Sequence, residues 1–207
     1  MNSLSAHLRT QINKGVEILS NGGVIAFPTE TIYGLGASIK KLEAVERIYQ
    51  IKGRDQSKAL PLILSRMSQI EDVAREIPDI VWILGKCFWP GPLTIVVYRS
   101  SLIPNAITRG KETVAVRVSS HPVAIALVES LGLPITGTSA NLSGTTNLTS
   151  NEEVKKQLGN KVDLVIDSET PLVGIESTIV DVTTDIPTII REGAISREAL
   201  MKVCKIK

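Results

Sequence analysis

The sequence predicts an α/β protein, with a single domain over residues 1–207 in which helices flank one twisted mixed sheet. Short apolar runs interleave with stretches whose apolar residues recur every three or four positions, a pattern typical of strands alternating with amphipathic helices. The two kinds of segment do not follow each other in strict pairs, so parallel and antiparallel strands are expected in the same sheet. With 207 residues, 43% of them hydrophobic, the chain is long enough to bury one core.

The first three elements are a helix over residues 4–19, a strand over residues 24–27 and a helix over residues 42–51. Apolar residues recur at helical spacing up to Leu19, and the sequence NGG that follows Ser20 is a helix stop signal. The strand is the apolar run VIAF. The second helix is amphipathic and is expected to end near Gly53.

Further strands and helices are predicted from the same two patterns. The strands are residues 60–64, 93–98, 113–118, 134–138, 162–166, 178–182 and 188–190. The helices are residues 68–76, 79–87, 122–131 and 151–158. The polar segment 143–151 has few apolar residues to anchor it, so it is expected to be the most flexible part of the chain.

The composition excludes several kinds of site. Twenty-three Lys and Arg residues oppose 21 Asp and Glu, and a net charge of +2 does not require a polyanionic partner. Cys87 and Cys204 form no CxxC pair, and His7 and His121 lie far apart, so no protein-held metal is expected. No signal peptide is recognisable and no run approaches the roughly 18 apolar residues of a spanning helix, so we expect a cytoplasmic protein with no membrane partner.

Two polar stretches follow predicted elements in the first third of the chain. FPTETIYGLG, residues 27–36, continues a buried strand into two threonines, a glutamate and two glycines, a set that a plain connecting loop does not need. KGRDQSK places Lys52, Arg54 and Lys58 at a helix end. These cations either bind phosphates or form a solvated helix terminus where they complement the dipole.

Two more stretches lie later in the chain. In TVAVRVSS, valines alternate with Thr113, Ala115 and Arg117, so Thr113 and Arg117 share a strand face. That face either lines a cleft, where Arg117 pairs with a carboxylate or phosphate, or is simply solvated. TGTSANLSG, residues 136–144, offers Ser139 and Asn141 as hydrogen-bonding groups beside small residues, and an ordinary turn has a similar composition.

Common catalytic templates are absent from the sequence. It contains no GxxxxGK[ST], GxGxxG or HExxH motif. Ser139 is a poor candidate for a covalent nucleophile, because the one available base is His121, which precedes Pro122 at a predicted helix start and is expected to cap or pack. Aromatic residues make up only 3% of the chain, which leaves few surfaces for stacking single-stranded nucleic acid.

Seven motifs in a fixed order resemble the YrdC-like family of L-threonylcarbamoyladenylate synthases. They are PTETIYGLG, KGR, WPGPLT, VAVR, SANLSG, STIVD and REG, and the resemblance runs from about residue 10 to residue 200. Each motif is weak alone, but their order over nearly the whole chain makes the match specific. The resemblance implies a YrdC-like sheet around a concave, basic cavity, and we expect the short, single-domain form of the family.

The resemblance also implies an activity, that of a nucleotidyltransferase. Such an enzyme joins L-threonine, bicarbonate and ATP into threonylcarbamoyl-AMP and releases pyrophosphate, and the product serves threonylcarbamoyladenosine modification of tRNA. Mg²⁺ is expected to be carried with ATP. Candidate partners are tRNA and the downstream tRNA-threonylcarbamoyltransferase proteins.

Position by position, the resemblance assigns residues to both substrates. Lys52 and Arg54 are implied to be catalytic. The residues implied to contact ATP are Lys52, Arg54, Lys58, Thr113, Ser139, Asn141, Asn147 and Arg191. Those implied to contact threonine are Thr31, Arg117 and Ser177. The stretch 27–36 is expected to form one cavity wall, with Gly34 and Gly36 allowing the backbone to approach the substrate, and segment 143–151 is expected to close over bound nucleotide.

The sequence departs from the family pattern at two places, and two other functions compete. Asp55 follows Arg54 where many members have a proline, and Ile63 stands near a position where some have a histidine. One alternative is a carbamoyl-adenylating domain of the hydrogenase-maturation type, whose zinc-finger cysteines are missing here. The other is a non-catalytic module that binds double-stranded RNA or tRNA, because a basic concave surface attracts phosphates.

Overall fold

In the computed structural model, which describes residues 4–207, strands form two mixed sheets with helices packed around them. Residues 1–3 of the predicted domain lie outside the described residues. The helices are α1 (Ala6–Ser20), α2 (Leu42–Lys52), α3 (Ile70–Val73), α4 (Asp79–Phe88), α5 (Asn105–Thr108), α6 (Pro122–Leu131), α7 (Asn151–Leu158) and α8 (Arg197–Met201). The strands are β1 (Ile25–Pro28), β2 (Tyr33–Gly36), β3 (Leu62–Leu64), β4 (Leu93–Tyr98), β5 (Thr113–Val118), β6 (Ile135–Thr136), β7 (Thr138–Ser139), β8 (Leu164–Val165), β9 (Thr178–Asp181) and β10 (Thr188–Arg191).

The α/β class with mixed strand directions is confirmed, although the strands divide into two sheets rather than one. The smaller sheet has the order β7-β2-β1-β8, and the larger has the order β10-β9-β4-β5-β3-β6. In the larger sheet the pairs β4/β9 and β3/β5 are parallel, whereas β4/β5, β9/β10 and β3/β6 are antiparallel.

The larger sheet has one core face and one open face, as the alternation in β5 predicts. Val114, Val116 and Val118 are buried in the main hydrophobic cluster. Because successive strand side chains point to opposite sides, Ala115 and Arg117 face the other way. The open face is therefore available for a ligand.

A second hydrophobic cluster joins α1 and α6 to the smaller sheet. Leu8 and Ile12 of α1 pack with Leu127 of α6 and with Ile25 and Phe27 of β1. The predicted helix stop is confirmed, because Asn21 caps α1 and Gly22 has a φ of 88°. His121 is the N-cap of α6 and accepts a hydrogen bond from the Val123 amide, so its predicted capping role is also confirmed.

The strand predicted over residues 134–138 is wrong, because the chain changes sheets at Gly137. β6 pairs with β3 in the larger sheet, whereas β7 pairs with β2 in the smaller one. A Cβ atom at Gly137 would lie 2.3 Å from Cγ1 of Ile63, so only glycine fits at the crossing. The crossing brings the two sheets together at the stretch that contains Ser139 and Asn141.

Other predicted boundaries also change. Residues 68–76 do not form one helix: a 3₁₀ turn, Met67–Gln69, leads into α3, and Ala74 then bridges to Arg99 as extended backbone. The strands predicted over residues 60–64 and 162–166 are shorter than expected. β2, α5 and α8 were not predicted, and all three span five residues or fewer. Over residues 4–207, no helix is long and apolar enough to cross a membrane.

Candidate active site

The open face of the larger sheet is the floor of a cavity of about 390 Å³, here called the inner chamber. Its floor residues are Thr94, Val96, Ala115, Arg117 and Ile179. One wall is formed by Thr31, in the loop between β1 and β2, and by Gly34 of β2, and the rim carries Lys58, Lys111 and Arg191. The predicted cleft on this strand face is therefore present, and the alternative of a solvated face is wrong.

Arg117 is buried at the bottom of the inner chamber, with 6% of its surface exposed. Its Nη1 and Nη2 both donate to Thr31 Oγ1 at 3.1 Å, and its Nε donates to the Gly91 carbonyl at 3.2 Å. Nη2 also forms an ion pair with Glu30 Oε1 at 2.6 Å. Glu30 Oε2 accepts from Ser119 Oγ and from the Ser120 amide. These two hydrogen bonds fix the carboxylate that pairs with the Arg117 guanidinium.

A second cavity of about 760 Å³, here called the outer chamber, adjoins the first. It is lined by the end of α2 and by the segment after β7, including Lys52, Asn141, Thr145 and Asn147. Four residues line both chambers: Arg54, Lys58, Ser139 and Glu176. The two cavities therefore form one continuous space, and these four residues are their common boundary.

Lys52 is buried at the boundary of the outer chamber, with 3% of its surface exposed, so the alternative of a solvated helix terminus is wrong for this residue. Its Nζ donates to the Ser139 carbonyl, to the Asn141 carbonyl at 2.6 Å and to Asn141 Oδ1 at 3.3 Å. Burial, and then repulsion from Arg54, lowers the pKa of Lys52 to about 8, while Glu176 opposes the shift. The ammonium thus ties α2 to the stretch after β7 and adds positive potential to the outer chamber.

Arg54 and Lys58 belong to a loop that follows α2. Gly53 caps the helix at a φ of 57°, a left-handed conformation that favours glycine. Arg54 Nε donates to the Lys58 carbonyl at 3.2 Å and Nη2 to the Ala59 carbonyl at 2.9 Å, so its guanidinium is oriented by its own loop. Nη1 has no partner among the described residues and remains available to an anion.

Arg191 closes the side of the inner chamber next to β9. Its Nη1 pairs with Glu176 Oε2 at 2.6 Å, and its Nη2 donates to the Ser177 carbonyl at 2.8 Å. Burial lowers the pKa of Arg191, and Glu176 counteracts this effect. The Ser177 hydroxyl lies 2.8 Å from Thr94 Oγ1, which places two hydroxyls beside the chamber floor.

Comparison with known proteins gives the family. A family model named Sua5/YciO/YrdC and described as "Telomere recombination" matches residues 17–193. The chain belongs to this family. The threonylcarbamoyl-AMP synthase of Thiobacillus denitrificans is 37% identical over 166 residues, which cover 80% of this chain and 88% of that protein.

Two further comparisons concern Pyrococcus abyssi. Its threonylcarbamoyl-AMP synthase is 40% identical over 185 residues, which cover 89% of this chain and 54% of that protein. A crystal structure of P. abyssi Sua5 complexed with L-threonine matches with a TM-score of 0.91 at 39% identity, over 95% of this chain and 58% of that one. The chain spans about half the length of the synthases of P. abyssi and Bacillus subtilis.

Within this Sua5/YciO/YrdC fold, the residues predicted from the family motifs converge on the two chambers. Of the eleven residues assigned to substrates from the motifs, ten line one chamber or both. Thr113 shares the strand face of Ala115 and Arg117 but lines neither chamber. The predicted residues that line the inner chamber are Thr31, Arg54, Lys58, Arg117, Ser139, Ser177 and Arg191. Those that line the outer chamber are Lys52, Arg54, Lys58, Ser139, Asn141 and Asn147.

One expectation about the walls is wrong. Gly36 does not line either chamber; a Cβ there would lie 2.7 Å from Cε1 of Phe27, so this glycine makes room for a buried ring. In segment 143–151, which has few apolar residues as predicted, Leu148 is buried and its carbonyl accepts from the Tyr33 amide at 3.0 Å.

Among the charged residues of the site that were not assigned from the sequence are two glutamates and a lysine. Glu30 and Glu176 pair with the two arginines, and Lys111 lies on the rim of the inner chamber. Glu30 stood within the motif PTETIYGLG, but the sequence does not reveal its pairing with Arg117. Over residues 4–207, no group of three or more His, Cys, Asp or Glu side chains is arranged to hold a metal ion.

The lowered pKa of Lys52 generates a prediction for anion binding. The affinity of the wild-type protein for ATP should weaken as the pH rises above about 8, because the ammonium loses its proton and with it an attraction to phosphate. Lys52→Met should bind ATP about tenfold more weakly at neutral pH, and its affinity should not fall as the pH rises further. Calorimetric titration with ATP alone measures both effects.

Lys40→Met is the matched control, because Lys40 is exposed and lines neither chamber. It should bind ATP with the affinity and the pH dependence of the wild-type protein. An equal decline of affinity with pH in Lys52→Met and the wild-type protein would show that another group titrates.

Proposed function

We propose that this protein is an L-threonylcarbamoyladenylate synthase, which makes threonylcarbamoyl-AMP and pyrophosphate from L-threonine, bicarbonate and ATP. One observation carries the proposal: two chambers of different character meet at Arg54, Lys58 and Ser139. An amino acid in the inner chamber would adjoin the phosphates of a nucleotide in the outer one. The names of the relatives and the threonine complex of the P. abyssi protein support the same assignment.

The inner chamber suits an amino acid. At the bottom of the chamber the Arg117 guanidinium offers a carboxylate its charge and the second N–H of Nη1, and the hydroxyls of Thr31 and Ser177 lie on the same cavity wall and floor. Arg117 and Arg191 are already paired with Glu30 and Glu176. The other cations that line this chamber are Arg54 and Lys58, which it shares with the outer chamber, and Lys111 on the rim. Around Arg117 the charges are balanced, which favours a zwitterion over a highly charged anion at the bottom of the chamber. We assign Thr31, Arg117 and Ser177 to threonine.

The outer chamber suits a polyphosphate. Three cations line it, Lys52, Arg54 and Lys58, together with two carboxylates, those of Asp55 and Glu176. The small residues and amide groups around Asn141 and Asn147 allow a nucleotide to approach the backbone and hydrogen-bond without opposing charge. We assign ATP, together with its Mg²⁺, to this chamber. Arg191 lines the inner chamber and is assigned to ATP across the shared boundary, whereas Thr113 lines neither chamber and its assignment to ATP rests on the family motifs alone.

The chemistry requires two anions to meet. Threonine's amine and bicarbonate form a carbamate with loss of water, and a carbamate oxygen then attacks the α-phosphorus of ATP while the bond to pyrophosphate breaks. No protein nucleophile is needed, and the main contribution of the protein is positioning and charge stabilisation. Lys52, in the outer chamber, and Arg54, at the boundary between the chambers, are placed to stabilise the charge that develops there.

The product implies a setting and partners. Threonylcarbamoyl-AMP would serve threonylcarbamoyladenosine modification of tRNA, so we place the enzyme in the cytoplasm. The proteins that transfer the threonylcarbamoyl group to tRNA, and tRNA itself, are the partners that this role implies.

A coupled assay tests the proposed function. Purified protein should release pyrophosphate from ATP only when L-threonine and bicarbonate are both present, and mass spectrometry should detect threonylcarbamoyl-AMP in the same mixture. Omitting either co-substrate provides the control. Pyrophosphate release that is indifferent to threonine, or no release at all, would contradict the proposal.

A second prediction concerns Arg117. Arg117→Lys keeps the charge beside Glu30 but loses the planar fork, so the KM for threonine should rise by about tenfold or more while the KM for ATP changes by less than about twofold. Lysine is preferable to alanine here, because removing the charge would leave a buried carboxylate without its partner.

Arg75→Lys is the matched control, since Arg75 pairs with Glu76 and Glu112 and lines neither chamber. It should leave both KM values unchanged. A parallel rise of the two KM values in Arg117→Lys would argue against a dedicated threonine contact.

A further inference from the structure

A residue with unusual backbone geometry lies behind the cation loop. Arg109, directly after α5, has a φ of 53° and is followed by Gly110 at 79°. A large side chain in the left-handed region is uncommon and energetically unfavourable. Its Nε is also buried without a hydrogen-bond partner among the described residues. Such a backbone conformation persists only where the surrounding contacts hold it.

The rest of the Arg109 side chain is held on two sides. Nη1 and Nη2 donate to the two carboxylate oxygens of Glu46 at 2.6 and 2.8 Å. The guanidinium carbon lies 3.7 Å from the centre of the Tyr49 ring. The bidentate pair and the stacking contact fix both the distance and the plane of the guanidinium, and they join α5 to α2.

Tyr49 connects Arg109 and Glu46 to the loop of residues 53–59 through a hydrogen bond. Its ring is 1% exposed, and its hydroxyl donates to the Lys58 carbonyl at 2.9 Å. Arg54 Nε donates to the same carbonyl oxygen at 3.2 Å. The Lys58 carbonyl is thus one of the two carbonyl groups that orient the Arg54 guanidinium, the other being that of Ala59.

We propose that Glu46, Tyr49 and Arg109, here called the brace, are positioning residues for Arg54 and Lys58. None of the three lines either chamber, so they act through the loop and not on a ligand. The proposal rests on the proposed function for its effect on ATP. The strained backbone and the unpartnered Nε of Arg109 are then the cost of a guanidinium that must stack on Tyr49 and pair with Glu46 at once.

Tyr49→Phe tests the brace with a minimal change, because it removes the hydroxyl and keeps the ring under Arg109. The KM for ATP should rise by about three- to tenfold, the effect of one lost hydrogen bond, while the KM for threonine stays within about twofold. Amide hydrogen exchange of Lys58 and Leu60 should become faster in the free protein, because the loop loses a fixed point.

Tyr98→Phe is the matched control. Tyr98 also donates its hydroxyl to a carbonyl, that of Thr183 at 3.2 Å, and also lies beneath an arginine, Arg75 at 5.3 Å, but it lines neither chamber. It should leave both KM values and the exchange of the loop unchanged. Tyr49→Phe in an Arg109→Lys background should add less than it does alone, because the two residues act through one carbonyl.

The two readouts separate the brace from the proposed function. If the wild-type protein is active, an unchanged KM for ATP in Tyr49→Phe, or an equal rise in both KM values, overturns the brace. If the wild-type protein makes no threonylcarbamoyl-AMP, the proposed function fails, and amide hydrogen exchange in Tyr49→Phe is then the test of the brace. Faster exchange at Lys58 and Leu60 then supports it, and unchanged exchange overturns it.

Discussion

The site depends on one buried guanidinium that joins the two sheets. Arg117 extends from β5 of the larger sheet to the loop between β1 and β2 of the smaller sheet, where it contacts Thr31 and Glu30. A charge removed from water is tolerated only if its donors find partners, so the loop must present oxygen atoms at defined places. This requirement explains why a buried strand runs directly into threonines and a glutamate. Thr29 completes the arrangement by closing the loop on the Ile32 carbonyl at 2.7 Å.

The charge distribution follows from the same arrangement and gives the two chambers different ligands. The two arginines that line the inner chamber alone each have a carboxylate partner, Arg117 with Glu30 and Arg191 with Glu176. In the outer chamber Lys52 is held by carbonyl groups, which orient its charge without cancelling it. A net charge of +2 for the whole chain is compatible with this separation, because the local balance of charges and not the total decides which ligand each cavity attracts.

Sequence patterns predicted the sheet faces and the main site residues because both depend on residues that are close together in the sequence. The alternation of valines with Thr113 and Arg117 fixes which side of β5 is buried, and helical spacing fixes α1 and α2. The motifs of the family predicted residues that the fold does bring together, such as Thr31, Arg117 and Asn141. What could not be predicted depends on contacts between distant segments. The strand over residues 134–138 breaks because Ile63 occupies the space beside Gly137, and Gly36 serves Phe27. The partners of Lys52 are backbone carbonyls, which no residue type reveals.

The central claim is that the inner chamber takes threonine and the outer chamber takes ATP, with the cations of the loop between them. A crystal structure with L-threonine and a non-hydrolysable ATP analogue tests this claim most directly. The account predicts the threonine carboxylate within hydrogen-bonding distance of the Arg117 guanidinium and the phosphates within ion-pair distance of Arg54 and Lys58. Threonine bound outside the inner chamber, or phosphates that touch neither cation, would contradict it.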